Sequence, residues 1–424
     1  MQILTFTTLY PSQVRPQHGI FVETRLRKLV ESGVVGARVV APCPWFPLAS
    51  RWFRRYSLFA RQPREETRYG LHVDYPRYPQ LPTIGMSIAP LAIFAALLPV
   101  LRRQLRGGRD FDLIDAHYFY PDGVAAVLLG RALGRPVVVT ARGSDLNVIA
   151  EYAAPRRWIH WSARRADGLV AVSRGLKRRL VALGVVEERV RVLRNGVDLA
   201  LFRPADRDTA RRALGLTRPT ILAVGNLVGL KRHRMMVEAL VGLPGVDLVI
   251  VGEGTERAAI EALARERRVA DRVRLLGHLP QDRLPEIYSA ADLLLLVSTH
   301  EGWPNVLLES MACGTPVIVS DIDGITDIIA APEAGRIVQD PPPTDSLRQP
   351  AISSLPCPPV PQPAPTRSAS TGGARQKGRS RCFARSASAD PVGAVLPMPP
   401  NAAGPGHRPR RNGRRCASTS ARYR

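Results

Sequence analysis

Residues 299–328, THEGWPNVLLESMACGTPVIVSDIDGITDI, are the most informative about the fold, because they contain the end of one strand–helix unit and the start of the next. It follows a continuous apolar run at 292–298 (DLLLLVS), which is typical of a parallel strand covered on both faces. The sequence predicts a helix that opens at Asn305 behind a proline and ends at Gly314, and then a second strand at 316–320. Strands that alternate with helices in this way predict an α/β protein with a parallel sheet.

Two glutamates in this stretch are placed where such sheets bind ligands. Glu301 lies in the loop at the carboxyl end of a predicted strand, and Glu309, about two helical turns further on, can reach the same crevice. Free backbone N–H groups at the helix start and around Gly324 suit a diphosphate, and carboxylates accept hydrogen bonds from sugar hydroxyls. The pattern therefore predicts a nucleotide-sugar site. On spacing alone, two solvated surface carboxylates remain the alternative.

The complete string closely resembles the Glu-x7-Glu signature of the family 4 glycosyltransferases, a large group of retaining enzymes with two Rossmann-like domains. The resemblance covers roughly residues 1–340 and is strongest from residue 191 onward. It implies that Glu301 contacts the hydroxyls of the transferred sugar and that Glu309 contacts the nucleotide ribose. It also implies that the backbone around three residues faces the diphosphate and the sugar: Gly302, Asn305 and Val306.

A second strand–glycine motif, TILAVGNLVGL at 220–230, supplies further donor candidates. The strand ends at Gly225, and Lys231 stands at the head of a predicted helix, where its point charge suits a diphosphate. The family usually has an arginine where Asn226 stands, so the resemblance implies that Lys231 carries the phosphate charge with less help. Glu253 lies in a glycine turn similar to the family's nucleotide-base loop. An ordinary surface role remains open for Lys231 and for Glu253.

The first half of the chain offers acceptor-side candidates. In the family, a glycine placed like Gly19 lets the backbone approach the donor phosphate or the acceptor, although a plain turn glycine is the alternative. His117 ends a predicted strand at 112–117, and Arg142 comes just after another at 136–140, so both should face the cleft between the domains. The family commonly has histidine where Arg142 stands, and an arginine cannot carry a proton, so any role there is electrostatic. For His117, a sugar or acceptor contact and a structural role are both open. Tyr118 and Asp122 are further candidates for such contacts.

Length and composition fit two domains. The chain has 424 residues, of which 45% are hydrophobic, enough for two separate cores. We predict an α/β fold with two Rossmann-like domains facing a central cleft: residues 1–195 on the acceptor side and residues 196–340 binding the nucleotide sugar. Asn195 and Gly196 should shape a turn at the boundary. No G-x-G-x-x-G follows a strand, which argues against an NAD oxidoreductase.

No metal or other cofactor is expected. The five cysteines show neither metal-ligand spacing nor a paired framework, and no Asp-x-Asp motif follows a suitable strand.

The net charge of +24 is unevenly distributed. Residues 341–424 hold 14 of the 60 Lys and Arg residues, 2 of the 36 acids and 16 of the 38 prolines, so they are expected to be disordered. Family members continue past this point with helices, so an alternative is that the reading frame is disrupted near Pro341 and the second domain is incomplete. No folded reader of nucleic acid is recognisable, and no specific nucleic-acid partner is expected.

The remaining positive charge suggests an anionic membrane as a peripheral partner. The segment 51–56 mixes aromatic and basic residues, and the apolar run at 84–101 ends in arginines. The alternative is a core helix with a solvated basic rim. Prolines interrupt the run, so a spanning helix is disfavoured. The N-terminus shows no secretory signal, which favours the cytoplasm, at the inner face of the membrane.

The resemblance implies transfer of a sugar from a nucleotide diphosphate sugar to an acceptor hydroxyl with retained configuration. The expected acceptor is a carbohydrate or a lipid-linked molecule, in cell-envelope or exopolysaccharide synthesis. A nucleotide-sugar epimerase, a phosphorylase of the same architecture and an inactive nucleotide-sugar-binding relative remain alternatives.

Overall fold

Two large, mainly parallel sheets follow one another along the chain and are joined by the segment 193–206. The computed structural model describes residues 1–45, 59–80, 85–329 and 331–339, which all lie in one compact unit, Met1–Pro365. The segment 51–56 and the tail 341–424, for which the sequence predicts membrane contact and disorder, lie outside the described residues. The predicted domain boundary between Asn195 and Gly196 falls within the joining segment.

The first sheet has the strand order β10-β9-β8-β7-β1-β2-β5-β4, and only the β4–β5 pair in it is antiparallel. A separate small sheet pairs β3 with β6. The strands are β1 (Gln2–Phe6), β2 (Gly36–Val40), β3 (Cys43–Trp45), β4 (Glu65–Arg68), β5 (Leu71–Asp74), β6 (Arg77–Pro79), β7 (Leu113–His117), β8 (Val137–Ala141), β9 (Gly168–Ala171) and β10 (Val190–Val192).

Helices cover both faces of this sheet because successive strand residues point to opposite sides. Leu4 and Phe6 of β1 pack into the larger core, and Ile3, which precedes Leu4, packs into the smaller one with Val22 of the first helix. The helices are α1 (Ile20–Glu31), α2 (Gly85–Arg106), α3 (Val124–Leu133), α4 (Ser144–Asn147), α5 (Ala153–Ala163) and α6 (Arg174–Ala182). Each fully buried apolar side chain contributes about 1.5–3 kcal/mol to folding.

The second sheet is parallel throughout its described pairs, with the order β13-β12-β11-β14-β15-β16. Its strands are β11 (Thr220–Val224), β12 (Asp247–Val251), β13 (Val273–Gly277), β14 (Leu293–Leu296), β15 (Val317–Ser320) and β16 (Gly335–Val338). Its helices are α7 (Arg207–Leu214), α8 (His233–Val241), α9 (Arg257–Glu266), α10 (Leu284–Ala290) and α11 (Asn305–Ala312). Helices α8 and α9 cover one face, and α7, α10 and α11 cover the other. The prediction of two Rossmann-like halves is confirmed.

The sheet orders define where a ligand can bind. In the second sheet the order reverses between β11 and β14, and in the first sheet between β7 and β1. Open α/β sheets bind ligands beyond the carboxyl ends of the strands at such points. Lys231 follows β11, Glu301 follows β14 and His117 ends β7, so three of the predicted site residues lie at these positions.

Helix α2 contains most of the apolar run at 84–101. One stripe, Ile93, Leu97 and Leu101, is fully buried in the larger core of the first half, as expected for a core helix. The opposite face carries exposed Ile88 and Leu91, and the helix ends in a cluster of arginines. Among the helices of the described residues, α2 alone is long and apolar enough to cross a membrane. Its buried stripe, however, packs into the core of the first half.

Candidate active site

A lysine and a glutamate meet at the switch point of the second sheet. Lys231 Nζ lies 2.6 Å from Glu301 Oε1, and the two side chains are only 16% and 15% exposed. The loops that carry them are tied together, because the Thr299 N–H donates to the Leu230 carbonyl at 2.9 Å. Gly225 lets the lysine stem pass close by, since a Cβ there would lie 3.3 Å from Lys231 Cε. Two predicted donor residues therefore form one partly buried ion pair.

The helix expected to begin at Lys231 starts later. Lys231 ends a short 3-10 turn, Gly229–Lys231, and Arg232 adopts a left-handed φ of 51° before α8 begins at His233. This break turns Lys231 out of the helix register. Lys231 therefore precedes α8 instead of standing in its first turn.

Glu309 lies on α11 and is held by a neighbouring helix. The Tyr288 hydroxyl of α10 donates to Glu309 Oε2 at 2.8 Å, and burial raises the pKa of the Glu309 carboxyl. In the part of the chain that the structure describes, Oε1 of Glu309 accepts no hydrogen bond. Glu309 therefore has a structural role that the sequence did not predict, because one of its two carboxylate oxygens ties α11 to α10. The other oxygen is the one that can bind a ligand in the crevice.

The remaining donor candidates of the second half lie around two close backbone turns. A Cβ at Gly252 would lie 1.9 Å from the Gly225 carbonyl oxygen, so the turn after β12 packs tightly beside the turn after β11. Asn226 is exposed at that junction. Glu253 is also exposed, and its carboxylate pairs with Arg257 at 3.4 Å. The structure brings Glu253 to the same edge of the sheet but gives its side chain a surface partner.

On the acceptor side, His117 and Arg142 are buried and directly bonded. Arg142 Nη2 lies 2.7 Å from His117 Nδ1, and His117 Nε2 lies 3.2 Å from Asp115 Oδ2. Arginine has only donors, so Nδ1 must accept and the ring proton must sit on Nε2 and face Asp115. Burial lowers the pKa of His117 to about 4, despite the opposing effect of Asp115. His117 is thus a neutral, oriented imidazole at physiological pH.

Asn195 connects this group to the donor side, which the sequence did not predict. Its Oδ1 accepts from Arg142 Nη1 at 3.1 Å, and its Nδ2 donates to Asn305 Oδ1 at 3.3 Å, at the start of α11. The sequence predicted a turn at Asn195, but the side chain bridges both halves of the cleft. A hydrogen-bonded chain therefore runs from Asp115 through His117 and Arg142 to Asn305.

Two buried aspartates organise the loops of the first half. Asp145 accepts from the N–H groups of Phe119, Arg142 and Gly143, and burial raises the pKa of its carboxyl. Asp122 accepts from the Thr8 N–H at 2.7 Å and from the Thr8 hydroxyl at 3.0 Å, and burial raises its pKa to about 7. Asp122 was expected to contact the acceptor, but its carboxylate is fully buried and holds the loop after β1.

The halves touch at two glycines. A Cβ on Gly302 would lie 1.9 Å from the Arg142 carbonyl oxygen, and a Cβ on Gly143 would lie 2.7 Å from Gly302 Cα. Nearby, Asn147 Nδ2 donates to the Glu301 carbonyl at 3.0 Å. The backbone of Gly302 was predicted to face the diphosphate and the sugar. In this structure it packs against the first half, whereas Val306, the second residue of α11, packs against the core of the second half.

Gly19 marks a cavity in the first half. Its φ is 75°, and a Cβ there would lie 2.2 Å from the Leu9 carbonyl oxygen, so a close backbone approach explains the glycine. Beside it, His18 Nε2 lies 3.0 Å from the Thr8 carbonyl oxygen. The adjoining cavity of about 360 Å³ lies at the carboxyl ends of β1 and β2. Its lining includes Tyr75, Tyr78 and Tyr120, and none of the described lining residues is acidic.

One group of side chains has metal-ligand geometry in the described ranges. Glu65, His72 and Asp74 lie together on the β4–β5 hairpin, at the far edge of the first sheet from the cleft. Arg38 Nη2 already bonds Asp74 Oδ2 at 3.1 Å. This group is separate from the residues that the sequence singled out.

Comparison with known proteins identifies the family. The model of Glycosyltransferase Family 4 matches residues 33–201, and that of Glycosyl transferases group 1 matches residues 206–351. TuaC of Bacillus subtilis (strain 168), assigned by its name to teichuronic acid biosynthesis, is 30% identical over 341 residues, which are 77% of this chain and 83% of TuaC. A D-inositol 3-phosphate glycosyltransferase of Acidothermus cellulolyticus is 34% identical over 276 residues, 59% of this chain and 61% of that protein.

Solved structures share the architecture at low sequence identity. The sucrose-phosphate synthase of Thermosynechococcus elongatus has a TM-score of 0.65 and 21% identity, covering 82% of this chain and 87% of its own. Anabaena HepE, solved in complex with UDP-glucose, has a TM-score of 0.61 and 18% identity, with the same coverage of 82% and 87%. With the sequence matches and the paired sheets, these likenesses lead to one conclusion: the chain belongs to the family 4 glycosyltransferases and has the GT-B fold.

Proposed function

We propose that this glycosyltransferase transfers a sugar from a nucleotide diphosphate sugar to an acceptor hydroxyl with retention of the anomeric configuration. The observation that carries the proposal is the position of the Lys231–Glu301 pair. It lies at the switch point of the second sheet, and the loop after Glu301 leads into α11, whose first residue is bonded to Asn195. The pair and a helix N-terminus are thus brought to the junction with the His117–Arg142 group.

The donor roles follow from this arrangement. The Lys231 ammonium and the free N–H groups at the start of α11 would stabilise the diphosphate, since both favour negative charge. Glu301, released from part of its ion pair, would accept hydrogen bonds from sugar hydroxyls. The unengaged oxygen of Glu309 would accept from the nucleotide ribose. Fold relatives solved with UDP and UDP-glucose make UDP-sugars the first donors to test.

The transfer step needs no proton carrier from His117. The bond between the sugar C1 and the β-phosphate oxygen breaks, and the acceptor oxygen forms a new bond to C1 on the same face. The acceptor proton passes to the leaving phosphate oxygen, and the nucleoside diphosphate departs. Lys231 and the α11 dipole would stabilise the charge that develops on this phosphate, so catalysis is expected without an added metal ion. The low pKa of His117, about 4, agrees with a hydrogen-bonding role.

The acceptor would enter through the cavity beside Gly19 and His18. Its aromatic walls and polar rim suit a sugar ring, and its position beside β1 is adjacent to His117 on β7. The exposed apolar face and basic end of α2 suit docking to an anionic membrane, where a lipid-linked acceptor would be presented. The similarity to TuaC supports a role in building the cell envelope or an exported polysaccharide.

Turnover with defined donors tests the proposal. The full chain is incubated with UDP-, GDP- and ADP-glucose and a panel of octyl glycosides, and the product's anomeric coupling is read by ¹H NMR. We expect an α-linked product from an α-linked donor, with no loss of rate in a chelator. An inverted product would overturn the retention of configuration, and free epimerised sugar or sugar phosphate would overturn the transfer to an acceptor. Activity abolished by chelation and restored by Mn²⁺ would overturn catalysis without an added metal ion. Lys231→Met should raise the donor KM strongly, whereas the matched control Lys177→Met, on α6, should not.

Flotation with lipid vesicles tests the membrane docking separately. We expect binding to vesicles that contain acidic lipid and release at high salt. Flotation that responds to neither salt nor lipid charge would contradict the docking.

A further inference from the structure

The two halves make a second contact, distinct from the glycine contact at Gly143 and Gly302. The loop after β15 in the second half lies against the start of α6 in the first half. A Cβ on Gly324, which has a φ of 87°, would lie 3.3 Å from Ser173 Cβ, and a Cβ on Gly175 would lie 3.0 Å from the carboxyl carbon of Asp323. Such distances leave room for glycine but not for larger residues without adjustment. The loop and the helix start therefore fit closely.

Asp327 is the buried acid of this contact, and all its side-chain partners belong to the opposite half. Its Oδ1 lies 3.2 Å from Arg194 Nη2 and 3.5 Å from Arg174 Nη1, and its Oδ2 accepts from the Arg174 backbone N–H at 3.2 Å. The Asp327 side chain is only 6% exposed. A carboxylate removed from water needs compensating charge and hydrogen bonds, and here the first half supplies them.

One of these arginines also touches the donor loop. The Arg194 guanidinium lies 5.9 Å from the centre of the Trp303 ring, two residues beyond Glu301. Arg194 belongs to the segment that joins the two sheets. The Asp327 contact and the Glu301 loop therefore share a side chain, so movement of one half away from the other would disturb both.

We propose that Asp327 is a positioning residue that holds the acceptor half closed over the donor half. When the cleft opens, Asp327 loses its partners from the first half and returns to water. When the cleft closes, the carboxylate draws α6 and Arg194 toward the loop after β15 and brings His117 and Arg142 to the Lys231–Glu301 pair. Its effect on turnover rests on the proposed function, but its effect on closure does not.

An exposed pair in the same contact provides a matched control. Arg178 Nη2 of α6 bonds Asp323 Oδ1, and these side chains are 62% and 47% exposed. Exposed ion pairs contribute little to stability because solvent screens them. Asp323→Asn therefore alters the charge of the same loop without removing the buried carboxylate.

Hydrogen exchange of the full-length protein tests the proposal without any substrate. In Asp327→Asn we expect exchange of the backbone amide of Arg174 and of its neighbours in α6 to rise roughly tenfold, the loss typical of one hydrogen bond to a charged group. In Asp323→Asn we expect a change below about twofold. Arg174→Gln, which alters the opposite half, should reproduce part of the Asp327 effect. Equal exchange in Asp327→Asn and the wild type, or equal changes in both aspartate variants, would overturn the positioning role of Asp327.

Turnover gives the functional readout. With UDP-glucose, or whichever nucleotide sugar the wild type accepts, Asp327→Asn should lower kcat roughly tenfold, while the dissociation constant for the free nucleotide stays within about twofold. A loss of nucleotide binding equal to the loss of kcat would refute the positioning role. If the wild type transfers no sugar, the proposed function fails, and the exchange result still decides the role of Asp327.

Discussion

Replacement of His117 tests whether the acceptor side of the cleft works by hydrogen bonding or by proton transfer. His117 accepts from Arg142 at 2.7 Å and donates to Asp115 at 3.2 Å. A glutamine can accept with Oε1 and donate with Nε2, so His117→Gln can keep both bonds. His117→Ala leaves the buried guanidinium without one partner, which costs about 1.5–3 kcal/mol in the free energy of unfolding. We therefore expect His117→Gln to retain activity and His117→Ala to lose most of it.

The role of His117 also predicts how the free energy of unfolding depends on pH. The pKa of His117 falls from 6.5 to about 4 on folding, so the unfolded chain binds a proton between these values that the folded protein does not. The stability contributed by the neutral imidazole is therefore complete above pH 6.5 and is lost as the pH falls toward 4. The loss amounts to about 3 kcal/mol, taking 1.36 kcal/mol for each pH unit. His117→Gln should remove this dependence.

Urea unfolding from pH 7 to pH 4 and a pH profile of kcat measure both effects. The wild type should show no limb near pH 6.5 in kcat, because His117 does not titrate there in the folded protein. A well-folded but inactive His117→Gln protein, together with a wild-type limb near pH 6.5 that the variant lacks, would refute the reasoning. That outcome would make His117 a proton carrier.

Four further substitutions probe the donor site, a buried acid and the contact between the halves. Glu309→Ala should weaken nucleotide binding, measured by calorimetry, whereas Glu301→Ala should mainly lower kcat; wild-type behaviour in both would refute the site assignment. Burial raises the pKa of Asp122 from 3.8 to about 7, so the contribution of this carboxyl to wild-type stability should fall by about 4 kcal/mol between pH 4 and pH 7, opposite in sign to the contribution of His117. Asp122→Asn should remove this contribution, so its stability in urea unfolding should rise more steeply with pH than that of the wild type, and the same pH dependence in both proteins would contradict the burial argument. Gly302→Ala places a Cβ 1.9 Å from the Arg142 carbonyl oxygen, so transfer should drop while nucleotide binding persists; unchanged transfer would show that the halves need not meet there.

The sequence predicted the framework well because local patterns determine it. The apolar run before Glu301 became β14, and the helix expected at Asn305 became α11 with the predicted start. Hydrophobic periodicity, glycine and proline act over a few residues, so their consequences can be read from short stretches. The prediction that a helix begins at Lys231 was less accurate. Arg232 adopts a left-handed conformation that delays the helix start to His233, and the sequence gives no clear signal of it.

The partners of the site residues could not be predicted in the same way. Lys231 meets Glu301 across 70 residues, and Asn195 meets Asn305 across 110. Such contacts depend on how two sheets are brought together, and one sequence holds no pattern for that. Asn195 was interpreted as a turn residue because Asn-Gly favours turns. The hydrogen bonds of its side chain to Arg142 and Asn305 were therefore not predicted. The buried Asp327 was missed for the same reason, since its partners come from the opposite half.

Calorimetric titration of the wild type and Glu309→Gln with nucleotide sugars tests whether the cleft binds a nucleotide sugar through Glu309. We expect the wild type to bind at least one UDP-, GDP- or ADP-sugar with one site per chain. We expect Glu309→Gln to bind the same ligand at least about tenfold more weakly, because a carboxylate's hydrogen bond to a hydroxyl is replaced by a neutral one. Equal binding by both proteins, or no binding of any nucleotide sugar by the wild type, would contradict these expectations.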